Sequence, residues 1–260
     1  MPRDLGDVIH HFLPASEGLE SDSAPPRPTR PAALPIVALP VGERDVVRAA
    51  YAWNLSVEVA RQGACVTLLA PSSSESSLLW PPPGRGPVGA EVVLCPAGDL
   101  VELDHAAWDL AVTRAADAPE GGVILTCVPP AWFEQASERS PLVRWVLLFT
   151  APDNRELREG YALIKRIVSC NRDAHIGITV HGVRRVGDAE SAFSRLSDIA
   201  QRHLAHPLAS YGLLVDDLHV YRAIVSRRPI GLEHPQSRAA RALRDVAELL
   251  LEDAEVRAVA

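Results

Sequence analysis

Ile36-Val37-Ala38-Leu39, a helical stretch from Asp45 to Gln62 stopped by Gly63, and Cys65-Val66-Thr67-Leu68-Leu69 are the residues on which the fold turns. Two apolar runs of strand length separated by one long helix predict a β-α-β unit, because parallel neighbours need a crossover of about a dozen residues or more. Gly63 sits where a helix C′ residue belongs. The alternation continues downstream, with strands predicted at 91–94, 110–113, 123–127, 143–149, 176–180 and 210–214. Helices are predicted at 155–169, 189–203, 218–226 and 236–251, and the Ser- and Pro-rich stretch 71–87 reads as a loop. No internal repeat is visible. The pattern is that of an α/β domain with a mostly parallel sheet and helices on both faces, spanning residues 35–260.

Upstream the composition changes. Leu5, Val8, Ile9 and Phe12 fall at i, i+3, i+4 and i+7, one face of a short amphipathic helix over residues 1–13. Residues 14–34 are rich in Pro and Ser and have too few apolar side chains to offset the entropy of ordering them, so a flexible linker is expected. Such a helix either docks back on the main domain or is offered to another protein, and Leu5, Val8, Ile9 and Phe12 are the candidate partner-binding residues.

Composition restricts the function. The chain has 260 residues, 47% hydrophobic, and a formal net charge of −7. One large core is affordable at this length, and the acidic balance argues against nucleic acid as a partner. Cys65, Cys95, Cys127 and Cys170 show no CxxC pairing and no ligand-spaced histidines, which reads as buried free thiols in a reducing compartment. No run reaches the roughly 20 apolar residues of a transmembrane helix, the last helix lacks the basic face of a membrane anchor, and no signal-peptide pattern is present. A cytoplasmic protein without metal is expected.

Two segments carry a resemblance. Gly160-Tyr161-Ala162-Leu163-Ile164-Lys165 is followed by a strand and then by Gly212, Asp217, Val220, Ala223, Pro229, Pro235, Ser237, Ala239 and Ala240 in order. This resembles the C-terminal half of MinD/ParA ATPases, nearest the FlhG-like flagellar-number regulators, with Val215 where that family has Pro. Asn54-Leu55 and the strand from Cys65 extend the resemblance over roughly residues 35 to 252.

What the resemblance implies about chemistry is largely negative. A P-loop needs glycine amides curled round phosphate, a lysine on the β/γ oxygens and a Ser/Thr on magnesium. Counted back from Asn54, the family's G-K-G-G-V-G-K-T-T falls on residues 42–50. Gly42 survives; Glu43 replaces the signature lysine; Arg44, Asp45 and Val47 replace glycines; Arg48 stands for the Walker lysine; Ala49 lacks the hydroxyl. Ala70 and Ser72 replace family acids after the second strand. The switch pattern D-x-P-A-G is expected after Trp108-Asp109-Leu110-Ala111-Val112, where the chain reads Thr113-Arg114-Ala115-Ala116-Asp117, and His181 replaces an adenine-reading Asn.

The vestigial positions Gly42, Glu43, Arg48, Ala49 and His181 therefore imply a protein that neither binds ATP and magnesium as cofactors nor hydrolyses ATP. The expected function is that of an adaptor or regulator, acting through protein partners as a monomer or a nucleotide-insensitive dimer. A nucleotide-binding ATPase with a pocket rebuilt around Arg48, and a scaffold subunit of a larger assembly, are the alternatives.

Overall fold

A computed structural model describes residues 33–42, 44–74, 80–138 and 140–259. Glu43, and Leu5, Val8, Ile9 and Phe12, lie outside the described residues. In chain order the elements are β1 (Ile36–Pro40), α1 (Val46–Arg61), β2 (Cys65–Pro71), β3 (Gly84–Arg85), β4 (Glu91–Cys95), α2 (Leu100–Ala115), β5 (Gly122–Val128) and β6 (Trp145–Thr150). There follow α3 (Asn154–Cys170), β7 (His175–Val183), α4 (Val186–Leu204), β8 (Ala209–Val215), α5 (Leu218–Ser226), α6 (Ile230–Glu233) and α7 (Arg238–Val259).

The strands form one sheet in the order β3-β4-β2-β5-β1-β6-β7-β8, parallel throughout except for the β3–β4 pair. Every residue of β1, β5 and β6 is buried, so the apolar runs that mark them in the sequence lie where both faces are covered. The crossover β1-α1-β2 moves one way along the sheet, whereas β4-α2-β5, β6-α3-β7 and β7-α4-β8 move the other. With right-handed connections, α1 lies on one face and α2, α3 and α4 on the opposite one. α7 returns across β8 to pack on α1.

That arrangement makes α1 the enclosed helix, with an unbroken buried run from Ala49 to Val59. Its buried Asn54, Ser56 and Glu58 side chains are matched, Ser56 donating to the Trp53 carbonyl at 2.7 Å, whereas the Trp53 indole N–H is buried without a partner among the described residues. The Asn54 Oδ1 accepts the Ile230 amide at 2.7 Å and so fixes the start of α6, while Glu58 pairs with Arg61 at 2.8 Å. An unmatched polar atom there would cost about 1–3 kcal/mol.

Three local expectations are corrected. Residues 110–113 lie in α2, not in a strand, because Leu110-Ala111-Val112 is the end of a helical series in which Leu100, Leu103, Asp104, Ala107, Ala111 and Ala115 are buried at spacings of three and four. A three-residue apolar run carries no period of its own. Within the stretch read as a loop, Gly84–Arg85 pairs antiparallel with β4. Of the four thiols, Cys95 and Cys127 are buried but Cys65 and Cys170 are only half-buried.

The closest approach in the sheet lies between β5 and β2, where a Cβ on Gly122 would overlap the Cys65 backbone carbonyl. Gly122→Ala should lower stability in urea unfolding by at least about 2 kcal/mol, since the backbone cannot move aside without parting the two strands. A change below 0.5 kcal/mol, on the order of a surface substitution, would contradict this packing.

Candidate functional site

Strand connections diverge at β1 and β6, which puts a crevice at their C-terminal ends, the place where open α/β sheets bind ligands. The first turn of α1 enters it. Asp45 is the N-cap: its carboxylate accepts the Arg48 amide at 3.0 Å, and its carbonyl accepts the Ala49 amide at 3.0 Å. The Asp45 amide donates to Gly42 O at 2.9 Å and the Val46 amide to Arg44 O at 3.0 Å. Four amides at the position of a phosphate cradle are therefore committed to the chain's own oxygens.

α1 begins at Val46, two residues before Arg48. Val46 and Val47, aligned with part of the glycine-rich wrap, are already helical, and Gly42 is not among the residues with positive φ. Ala49 is fully buried. The amides of Asp45, Val46, Arg48 and Ala49 are thus not free to form a phosphate nest.

Arg48 is the centre of the site. Its guanidinium donates to Asp45 at 2.6 Å, to the Phe149 carbonyl of β6 at 3.0 Å and to Glu156 of α3. The side chain is 20% exposed, so this is a largely desolvated charge with two carboxylate partners. A phosphate arriving here would have to displace both carboxylates.

His181, at the C-terminal part of β7, leans on Tyr51 with ring centroids 5.3 Å apart, and Tyr51 in turn meets Phe149 at 5.9 Å. The His181 Nε2 is buried without a partner. Burial, with the Arg48 charge second, pushes its imidazole down to about 4. Burial also raises the Tyr51 phenol, with Tyr221 and Asp216 adding to it. The structure therefore brings Arg48 and His181 near one another at the C-terminal ends of the strands, with Gly42 in the turn before Arg48 and Ala49 buried beside it in the first turn of α1.

Sequence reasoning missed Glu156, Tyr51 and Thr150. Glu156 was visible as the fourth residue of Asp153-Asn154-Arg155-Glu156, a capping pattern that the structure bears out, with Asp153 accepting the Arg155 and Glu156 amides at 3.0 Å. Nothing in that pattern foretells its pairing with Arg48. Thr150 ends β6 with a buried, unpaired hydroxyl beside a cleft of ≈ 320 Å³ that Arg48 and Glu156 also line.

The expected position of the switch pattern is corrected. Thr113, Arg114 and Ala115 are in α2 and Ala116 caps it. The strand that follows α2 is β5, which runs into Cys127-Val128-Pro129-Pro130-Ala131. That stretch holds no acid, and Cys127 is buried in it. Burial pushes its thiol up to about 12, so it carries no charge. Ala70 ends up buried in β2, and the Ser72 hydroxyl donates to the Cys95 carbonyl at 2.9 Å.

Arg48→Met should cost about 3 kcal/mol in urea unfolding, because Asp45 and Glu156 would face each other without their cation. A loss under 1 kcal/mol, on the order of an exposed pair, would contradict the burial argument. His181 predicts a pH dependence of definite sign. Its folded pKa lies below the ordinary 6.5, so the contribution is complete above pH 6.5 and is lost as pH falls towards 4, where the unfolded chain takes up a proton that the folded one refuses. The loss reaches up to about 3 kcal/mol. In His181→Phe that component should vanish, so the stability gap between the two proteins should shift by about 2–3 kcal/mol between pH 7 and pH 4.5. A constant gap would contradict it.

No protein-family profile matches the sequence, and no curated protein sequence matches it. Solved structures do. The MinD cell division protein of Aquifex aeolicus superposes with a TM-score of 0.60 at 16% identity, over 84% of this chain and 96% of that one. The MinC:MinD cell division protein complex of the same organism gives 0.60 at 15% identity, again over 84% and 96%. A ParA family ATPase from Chlorobium tepidum TLS gives 0.52 at 13% identity, over 85% and 99%. At these identities the likeness establishes architecture: the chain has the fold of the MinD/ParA ATPases.

Proposed function

We propose that this protein is a MinD/ParA-fold pseudo-ATPase: a cytoplasmic adaptor or regulator that works through protein contacts in spatial organisation such as cell polarity, motility or flagellar control. The observation that carries this reading is the internal occupation of the α1 N-terminus, where the Asp45 carboxylate and the Arg48 guanidinium satisfy each other and Glu156 completes the match. A helix N-terminus attracts an anion, and here the anion belongs to the chain. The residues of the sequence pattern that would hold magnesium and orient water are Ala49, Ala70 and Ser72, none of which is an acid.

Two further observations support a role in protein contact. The MinD neighbour is itself found in complex with MinC. Beside the blocked crevice, α5 exposes Leu218, Tyr221 and Val225 on one helical face, and the Tyr221 hydroxyl bonds to Asp216 at 3.2 Å. Among the described residues no helix is long and apolar enough to cross a membrane.

Calorimetry with ATP and magnesium tests the reading. No binding heat is expected up to about 1 mM nucleotide, and no phosphate release above the uncatalysed rate, because binding must break a buried charge match. A low-micromolar dissociation constant, or turnover that Arg48→Ala abolishes, would instead establish the rebuilt-pocket ATPase.

A further inference from the structure

At the end of the sheet opposite the crevice, where the central strands β1 and β6 begin, α2 carries a surface that no other described residue covers. On α2, Val101, Trp108 and Val112 are 52%, 51% and 44% exposed. Spacings of seven and four residues put them on one face of the helix. Trp108 stands at the junction of two adjoining grooves, of ≈ 490 and ≈ 410 Å³, which also share Pro141 and Arg144. The larger is walled by Ala33 and Leu34 on one side and by Trp145 on the other, with Arg257 stacked over the Trp145 ring at 4.7 Å.

Three facts name the occupant. The first is where the undescribed chain begins. Residues 1–32 join the fold at Ala33, in the groove wall, and the Leu34 amide is bonded to the Ala111 carbonyl of α2 at 3.1 Å. The chain therefore leaves the fold beside Trp108 and Val112. The second is pattern: Leu5, Val8, Ile9 and Phe12 form an apolar stripe two helical turns long, and a helix this short is marginal in water unless its face is covered. The third is charge. Residues 4–22 hold Asp4, Asp7, Glu17, Glu20 and Asp22 and no Lys or Arg, whereas the larger groove is lined by Arg144 and Arg257 and no acid, the smaller one adding Asp104 and Asp109.

We propose that residues 5–12 of the same chain dock as a helical turn pair in this groove, covering Trp108. The residues between Phe12 and Ala33 extend to roughly 65 Å, ample to return to a groove that Ala33 itself lines. Tethering also sets an effective concentration on the order of millimolar, which favours the chain's own segment over a second copy. A protein partner that uses Leu5, Val8, Ile9 and Phe12 must then displace them from α2, so the docked form holds the partner-binding stripe in reserve. The groove lies at the N-terminal ends of β1 and β6, away from Arg48 at their C-terminal ends, and the proposal stands or falls independently of nucleotide binding.

The test places a photo-crosslinking benzoylphenylalanine at Trp108, and separately at Val101, in the full chain at low micromolar concentration, with the linked peptides mapped by mass spectrometry. Links from at least one probe to residues 4–13, within the monomer band, are expected. In the Ile9→Asp/Phe12→Asp variant their yield should fall about tenfold or more, because two buried side chains become charged. Absence of links to residues 4–13 from both probes, links found only in a covalent dimer, or a yield unchanged by the double substitution would overturn the proposal.

Discussion

A guanidinium that is four-fifths buried must be matched by charge, and the matching of Arg48 joins three elements that sequence places far apart. Asp45 belongs to the turn before α1, the Phe149 carbonyl to β6, and Glu156 to the first turn of α3. β1 and β6 are neighbours at the centre of the sheet, and their connections depart in opposite directions, so nothing in the strand hydrogen bonding alone fixes how the helix that follows β1 meets the helix that follows β6. The ion pairs supply that constraint. A buried charge with ideal partners adds little net stability over an apolar substitute, yet its misplacement is costly, which makes it a device for geometry.

The architecture was legible because its central strands are buried on both faces and so stand out as short, continuous apolar runs: Ile36-Val37-Ala38-Leu39 and Val123-Ile124-Leu125 could not easily be anything else. Legibility failed at the periphery. α2 exposes Val101, Trp108 and Val112, so its polar and apolar faces are not cleanly separated, and the only apolar cluster that caught the eye was its last turn. The switch pattern expected after Val112 falls with that turn at the end of α2. Asn54, from which the loop is counted back, lies on the enclosed helix α1 and holds the Ile230 amide.

At the site, the sequence showed which groups are missing but not what replaces them. The substitutions at residues 43–49 read individually as losses. In the structure several of them cooperate: Asp45 caps the helix that Val46 and Val47 lengthen, and Arg48 reaches the cap one turn on. Glu156 and the Tyr51–His181 contact were invisible because they join residues far apart in the chain, and no local period encodes such pairs.

A helix N-terminus gains from negative charge whatever its source. When the charge is a ligand's phosphate, the stabilisation rises with ligand concentration and the fold reports on it. When the charge is Asp45, the same stabilisation is present from the moment the chain folds, and no nucleotide concentration enters it. The internal anion ties the first turn of α1, through Arg48 and Glu156, to the first turn of α3 with no ligand required. On the function proposed above, partners act at other surfaces, among them the α2 groove and the exposed face of α5.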